Sequence, residues 1–424
     1  LKFAVLAAAA VMLMGVPRLV SASLGPFEHG NGIKSQGAGG VGYALGEEAT
    51  ALNANPALIA GMDARTDVGF SLIAPTPSGE LDGNLFGPNR VYTATGQRLY
   101  PIPQGGLVRH LDERWSTGLS LFAAGLGPDY TDSPFQRFGG SQRSSLTLVS
   151  SGISTALAFR PVPEQAFGAA INLGYQIIRV EGLEFLGAGV PPVLQFSERP
   201  DKTSNQGYDG RPNIGFSIGW QGLIAPRLAL GAAYRSKTWT QRHKDYSGLL
   251  PDGGRLELPA IWGFGLAWMP LAPLTLSVDF QHYEYENEKA LGNGIAQLRS
   301  GNLLGSEHGP GFGFKDQTAY KFGVVVQASE ALTLRAGYIH SNQPVQTSDT
   351  LFPILASISA TTHYTLGLTW QRRTWELSGF AAYAPRQTVR GENSIPLLFG
   401  GGEANVIYEV LSVGFSLGWG IGGD

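Results

Sequence analysis

The chain contains no cysteine and carries little charge: of 424 residues, only 15% are Asp, Glu, Lys or Arg. The first absence excludes disulfide staples, thiolate metal sites and cysteine nucleophiles together. The second sets the chain apart from soluble α/β enzymes, in which about a quarter of residues are charged. Thirty basic and 33 acidic residues leave a net charge of −3, which offers no electrostatic footprint for nucleic acid. Seven histidines are scattered at positions 29, 110, 243, 282, 308, 340 and 363 without metal-ligand spacing. No G-x-S-x-G nucleophile elbow is present. Gly37-x-Gly39-x-x-Gly42 matches a dinucleotide fingerprint only formally, since no strand precedes it and the chain lacks βαβ units. The adjacent pair Glu47-Glu48 reads as solvated or tied to nearby basic groups. No catalytic residue, cofactor or metal is therefore expected. A linker is missing too: nothing marks a domain boundary, although a soluble chain of this length would usually have one.

What is abundant is glycine, at 59 residues, within a composition that is 43% hydrophobic. Lys2, an apolar run from Phe3 to Val16, and the small residues of Val20-Ser21-Ala22 follow the order of a secretory signal peptide, read as residues 1–22. Leu258 to Leu274 is long and apolar enough to imitate a transmembrane helix. Pro270, Pro273, Gly263 and Gly265 argue instead for two strands around a tight turn.

Elsewhere a period of two dominates. Leu274, Leu276, Val278 and Phe280 alternate with Thr275, Ser277, Asp279 and Gln281; Leu411, Val413, Phe415, Leu417 and Trp419 alternate with Ser412, Gly414, Ser416 and Gly418. A soluble sandwich would give that pattern as well; the connections distinguish the two. Short turns at 111–114, 161–165, 224–227, 270–273, 328–331 and 372–374 alternate with long polar segments near 76–101, 126–146, 183–211, 240–256, 287–315, 342–360 and 386–405. One-sided loop length is the mark of an outer-membrane β-barrel, here of about fourteen strands, an even number. Aromatic residues near strand ends (Trp115, Trp220, Trp262, Trp268, Tyr283, Trp370, Trp375 and Trp419) read as interfacial girdles.

Residues 23–62 do not fit the barrel pattern, which occupies 63–424. They are rich in Gly and Ala, with a helix-compatible stretch around Tyr43 to Leu52, ahead of a first strand at Asp67 to Ile73. A periplasmic tail would be more polar and more charged, so the segment is placed in the lumen.

Here the residues resemble a known family. Gly39-Gly40-Val41-Gly42-Tyr43-Ala44, Glu47-Glu48-Ala49 and Asn55-Pro56-Ala57-Leu58-Ile59 look like the N-terminal hatch of FadL/TodX-type outer-membrane transporters. Pro103-Gln104-Gly105-Gly106, Tyr234-Arg235-Ser236, Leu258-Pro259-Ala260-Ile261-Trp262 and Gly313-Phe314-Lys315-Asp316 continue the likeness in the family's order. The resemblance implies a monomeric, 14-stranded barrel plugged by its hatch, with Asn53, Asn55, Pro56 and Ala57 as hatch residues. It also implies energy-independent uptake of long-chain fatty acids or aromatic hydrocarbons, and contact with outer-membrane lipid and lipopolysaccharide. Ligand is expected to leave sideways through a kink in the third strand, placed at Gly125, Gly127 and Pro128, residues able to break a ladder.

One departure concerns the cargo. Fatty-acid members hold the carboxylate with a basic residue just after the fifth strand and another just before the Phe-Lys-Asp landmark. Those positions are Gly182 and Pro310 here. Arg179 and His308 are the nearest substitutes, and with Phe122 and Phe185 they form the ligand-binding candidates. The departure shifts the expectation from fatty acid toward a neutral apolar ligand. The alternative is a barrel that transports nothing and serves as adhesin or surface receptor through its loops.

Overall fold

The computed structural model describes residues 24–188 and 195–420; the expected signal peptide, residues 1–22, lies outside them. Fourteen long antiparallel strands form a closed barrel. They are β1 Arg65–Pro75, β2 Tyr100–His110, β3 Trp115–Leu126, β4 Ser144–Val162, β5 Gln165–Glu181, β6 Asp209–Ala225 and β7 Leu228–Arg235. β8 Ile261–Leu271, β9 Leu274–Tyr283, β10 Gln317–Gln327, β11 Leu332–Ser341, β12 Thr362–Arg372, β13 Trp375–Val389 and β14 Glu403–Gly420 complete the wall. Each pairs with its sequence neighbour, and β14 closes on β1 from Arg65↔Gly420 to Pro75↔Val410. Short strands in the long loops, such as Ser78–Asp82 and Arg90–Thr93, extend the sheet beyond the rim.

The strand period is inverted relative to a soluble protein. On β9, Val278 is 42% exposed while Asp279 beside it is 1% exposed. The same holds on β12, where Leu366 is 65% exposed and Thr365 is buried. Apolar side chains thus face outward as a lipid-contacting band, and polar ones face the lumen. Trp115, Trp268 and Trp370 stand exposed at the short-turn end, Trp370 edge-on to Trp375 at 5.3 Å. Tyr283 departs from the expected girdle. It shares the inward parity of Asp279 and Gln281, is 1% exposed, and stacks on Phe27 at 5.6 Å inside the barrel.

An inward polar face must be satisfied from within, and residues 24–62 do this. Asp279 accepts from the backbone N–H groups of Gly42 (2.6 Å) and Tyr43 (3.0 Å), and Asp67 accepts from Ala49 N (2.7 Å). Lys321 Nζ donates to the carbonyls of His29 (2.8 Å) and Gly40 (3.2 Å). Arg335 grips Glu47 with both arms of its fork, at 2.7 and 3.0 Å. Lys34 reaches Glu376 at 2.5 Å, and Arg65 bonds the same carboxylate. The hatch is helical, but not where the sequence pattern put the helix. Helix α1 is Ile33–Gly37, and 3-10 turns run over Ala49–Asn53 and Pro56–Gly61. The stretch from Tyr43 to Glu48 forms no helix, because Asp279 takes the Gly42 and Tyr43 amides and Asn55 Nδ2 takes the Tyr43 carbonyl.

Glycine on the inner wall makes room for this plug. A Cβ at Gly168 would stand 2.3 Å from Pro56 C, at Gly219 2.0 Å from Asn55 Oδ1, and at Gly231 1.8 Å from Tyr43 O. A Cβ at Gly337 would stand 2.0 Å from Gly39 N, and one at Gly367 2.9 Å from Gly37 Cα. Gly168→Val and Gly219→Val are therefore expected to unseat the Asn55–Gly61 end of the hatch from a barrel that still closes. Overpacking of this kind costs about 1–3 kcal/mol. Heat-modifiable gel mobility should remain wild-type, while single-channel conductance in planar bilayers rises; unaltered conductance would show that the hatch seat lies elsewhere.

Candidate functional site

The wall is interrupted at one ladder. β2 and β3 pair from His110↔Ser116 to Gly106↔Ser120 and stop there. Beyond that point β2 stays in register with β1 (Gly105↔Val68 to Tyr100↔Ile73), and β3 stays with β4 (Leu121↔Ile153 to Leu126↔Leu148). The two strands part, leaving a slot between Tyr100–Gly105 and Leu121–Leu126. Its cause is visible in the composition of β2. Pro101 and Pro103 share the strand edge of Gly105, which faces β3, and proline has no N–H to donate to a partner.

Freed backbone groups in a bilayer need other partners. Ser120 Oγ donates to the Gly105 carbonyl (3.1 Å). Asn53 Nδ2, from the hatch, donates to the Leu121 carbonyl (2.7 Å) and to Ser120 Oγ (2.9 Å). Farther along, the N-terminal turn takes the place of β2: Phe27 forms a bridge with Ala124, and Gly125 N donates to the Pro26 carbonyl (2.6 Å). The turn rests on Tyr283 through Phe27 and on Tyr285, whose hydroxyl donates to Leu24 O (3.3 Å).

Behind the slot lies an inner chamber. Gln104 and Pro103 of β2, Leu121 and Phe122 of β3, Glu28 and Asn53 of the N-terminal segment, Arg235, Tyr283 and Lys321 line it. Nearer the long-loop rim a second cavity has a wholly different wall. Leu146, Leu148, Ile178, Val180, Leu183, Leu250, Leu304, Pro310, Phe312 and Leu355 are among its lining residues, and among the described residues no charged side chain is.

The sequence-derived candidates distribute unevenly over this geometry. Asn55 Nδ2 bridges the Tyr43 carbonyl (2.7 Å) and the Trp220 carbonyl (2.9 Å), and its Oδ1 caps the following turn at Ala57 N (3.0 Å). Pro56 occupies the first helical position there, and Ala57 is fully buried. Gly125, Gly127 and Pro128 lie at the far end of the slot rather than at its origin. The carbonyl of Gly127 accepts from Tyr100 Oη, and that of Pro128 accepts from Leu146 N (3.1 Å). Phe122 is buried and lines the inner chamber. Phe185 packs in an aromatic cluster with Phe135, Phe138 and Phe399 beside the outer cavity, at 6.1, 5.7 and 5.2 Å.

Arg179 and His308 do not line either cavity. Ile178 and Val180 face the outer cavity, so Arg179 between them faces out. There it bonds Glu181 and lies over the Tyr208 ring at 5.0 Å. His308 is exposed on its loop, two residues from the buried Pro310. Two residues of weight escaped the sequence reading. Glu28 receives Ser71 Oγ (2.6 Å), Gln36 Nε2 (3.0 Å) and Gln104 Nε2 (3.2 Å), tying the N-terminal turn to β1 and β2. Arg235 projects into the inner chamber, and its inward parity with Gly231 was available from the strand pattern.

Burial pushes the Glu28 carboxyl up to about 7 against the three hydrogen bonds that favour its charge. Burial, then the charge of Asp67, raises Glu48 to about 7 as well, against the pull of Lys34.

A family profile described as outer membrane protein transport protein (OMPP1/FadL/TodX) matches residues 20–387. No curated protein matches in sequence. Among solved structures, the toluene transporter TodX of P. putida superposes with a TM-score of 0.70 at 17% identity, covering 93% of this chain and 100% of that one. The Ralstonia pickettii toluene transporter TbuX gives 0.64 at 16% identity, covering 93% and 99%. A Pseudomonas aeruginosa FadL homologue gives 0.67 at 16%, again covering 93% and 99%. At such identities the likeness establishes the fold.

Two outcomes follow for the site. Arg179→Ala should leave toluene and fatty-acid binding alike within about 0.5 kcal/mol, as for a surface change; a selective loss of fatty acid would return Arg179 to the ligand. Glu28 and Glu48 hold protons in the folded hatch that an unfolded chain releases near pH 4.5. The contribution of Glu28 and Glu48 to hatch stability is therefore fully present below that pH and is lost as pH rises through about 7. Hydrogen exchange of residues 24–36 should accelerate from pH 5 to pH 8 beyond the intrinsic rate change, and less so in Glu28→Gln. A Glu28→Gln profile matching wild type would remove Glu28 from the account.

Proposed function

The chain belongs to the OMPP1/FadL/TodX family of outer-membrane transport proteins, and on that footing we propose that it admits small hydrophobic compounds passively and releases them sideways into the bilayer through the β2–β3 slot. It resides in the outer membrane as a multi-pass barrel of a family that transports hydrophobic compounds. The observation that carries the lateral route is the early end of the β2–β3 ladder, with its freed groups capped by Asn53, Ser120 and Pro26. A wall that has lost its hydrogen bonds yet keeps its backbone satisfied can part at little cost in unpaired groups.

The physics of the barrier favours such an exit. Lipopolysaccharide obstructs apolar solutes, and a water-filled pore gives them no favourable environment. The outer cavity supports a neutral apolar cargo: its walls are aliphatic and aromatic, and Pro310 lines it where a basic residue would hold a carboxylate. Burying apolar ligand surface there is worth about 25 cal/mol per Å² removed from water. TodX and TbuX are toluene transporters, and a monoaromatic hydrocarbon is the cargo we propose for the outer cavity here.

The absence of native cysteine makes a direct test simple. Pro103→Cys and Ala123→Cys place one thiol on each edge of the slot, opposite each other if the interrupted register were continued. Bridging them with a short bis-maleimide should lower toluene uptake by whole cells to near that of cells lacking the protein, relative to the same double variant left unbridged. Undiminished uptake in the bridged barrel would sink the lateral route.

A further inference from the structure

Two loop tips carry large apolar side chains where a barrel has no lipid to cover them. Leu397 and Leu85 are 87% and 83% exposed, the two highest values for large apolar side chains among the described residues. Their neighbours Leu398 and Phe86 are 50% and 53% exposed. Leu85 and Phe86 lie in the turn between Ser78–Asp82 and Arg90–Thr93, and Leu397 and Leu398 begin a 3-10 turn in the last long loop. This exposure is built into the fold. Asn84 Nδ2 donates to the carbonyls of Phe399 and Gly401, both at 2.7 Å, and its Oδ1 accepts from Phe86 N (3.1 Å). Leu85 N donates to the Gly400 carbonyl (3.0 Å), and Arg137 Nη2 holds the hairpin turn at the Pro88 carbonyl (2.8 Å). Gly400, at φ 85°, permits the meeting, since a Cβ there would stand 3.1 Å from Phe86 Cγ. Phe399, next in the same turn, is buried against Phe138, Phe185 and Phe196. The clip thus sorts its apolar residues, one inward and four outward.

A preorganised patch loses little entropy on binding, and exposed apolar patches mark contact sites. The surrounding bilayer does not cover this one. Leu411, opposite Tyr383 and 50% exposed, stands at the outer end of the apolar band. From there β14 continues for about 25 Å to Glu403, roughly 20 Å of it along the barrel axis at the usual tilt. The two tips join beyond that point. A protein partner fits poorly as well. At about 200 Å² for a large side chain, four side chains exposed to this degree offer roughly 550 Å². A stable protein interface needs about 800 Å² from each partner. The amide of Asn84 is spent between the loops, so the patch offers area without directed bonds. A fluid apolar phase asks for nothing else.

We infer that Leu85, Phe86, Leu397 and Leu398 form an interfacial anchor, by which the barrel attaches to the surface of a hydrocarbon droplet outside the cell. None of the four lines the outer cavity. The inference goes beyond the transport reading and does not rest on it, because attachment needs only the two tips.

The full-length barrel in phosphatidylcholine nanodiscs, mixed with a hexadecane emulsion, reads attachment as the fraction that floats with the droplets, against empty nanodiscs. Replacing Leu85, Phe86, Leu397 and Leu398 together by Ser should lower that partition coefficient by about tenfold or more, and replacing the pair on one loop should lower it less. An unchanged coefficient in the four-residue variant overturns the inference. The cysteine-free chain allows a second reading that keeps three of the four side chains. An environment-sensitive dye on Leu397→Cys should shift to the blue when droplets are added, while the same dye on Glu330→Cys, in a short turn at the opposite end, should not. No shift at the first position, or an equal shift at both, overturns the inference. Barrels that pair through the tips without droplets, and cease to pair in the four-residue variant, would make the patch a self-contact and overturn it too. Uptake of dissolved toluene by whole cells is scored separately and should stay near the wild-type level in the four-residue variant. Its loss together with attachment would make the tips part of the uptake path and overturn the anchor as stated. Droplet attachment by a wild-type protein that takes up no toluene would leave the anchor standing while the transport reading fails.

Discussion

Backbone hydrogen bonding in a solvent that offers none is the constraint on which this structure depends. A sheet in a bilayer must pair every N–H and C=O within itself, which forces closure, and β14 meets β1 over their full shared length to achieve it. Against that requirement the β2–β3 ladder is the informative exception. Two prolines remove donors that would have needed partners, a serine and a hatch asparagine cap two of the carbonyls, and the N-terminal turn supplies a short length of substitute strand. The interruption is built from the same rule as the rest of the wall, with the plug completing what the strands leave open.

Closure creates a second problem, which the hatch solves. A wall of fourteen strands encloses a lumen too wide for its own side chains to fill, and its inward face carries ions such as Asp67, Asp279, Lys321, Arg335 and Glu376. Left wet, these would line a polar pore. Instead, hatch amides and carbonyls satisfy Asp67, Asp279 and Lys321, the side chains of Glu47 and Lys34 pair Arg335 and Glu376, and glycine at Gly168, Gly219, Gly231, Gly337 and Gly367 lets the hatch approach the wall closely. The abundance of glycine and the shortage of charge thus have a common origin: most of the outer face needs no charge, and much of the inner face needs no side chain.

How much of this was legible in the sequence depends on the range over which the signal acts. Strand period and the alternation of short and long connections are local properties, and they placed the fourteen strands, the turns and the inward polar face. The slot was sought at Gly125, Gly127 and Pro128 because those residues break ladders, whereas the ladder ends five residues earlier, on account of prolines in the partner strand. A gap is a property of a strand pair, so its cause can sit on either edge. Arg179 was weighed for its charge and nearness to Gly182; carrying the parity of Asn172 and Gln176 along β5 would have turned it outward. The same parity, applied from Gly231, turns Arg235 inward. Tyr283 was read as a girdle by position, although its alternation with Asp279 and Gln281 set it inside. The helix expected near Tyr43 failed for another reason: Asp279, more than 200 residues away in sequence, claims the amides that the helix would have used.

The two cavities would place opposite demands on one ligand, and on the proposed route that opposition gives a direction to passage. A site lined by Leu, Ile, Val and Phe gains from apolar burial and is indifferent to what the ligand offers in hydrogen bonds. A chamber lined by Glu28, Asn53, Gln104, Arg235 and Lys321 penalises a purely apolar guest through the polar groups it leaves unsatisfied. On the proposed route it would therefore be a place for a hydrocarbon to cross quickly on the way to lipid. Because Asn53, Glu28 and Pro26 belong to the hatch and also flank the slot, the proposed lateral route needs no moving part of the barrel. A shift in the N-terminal turn would exchange the protein hydrogen bond at Gly125 for an open edge, a shift of Asn53 would do so at Leu121, and the strands on either side would keep their ladders with β1 and β4.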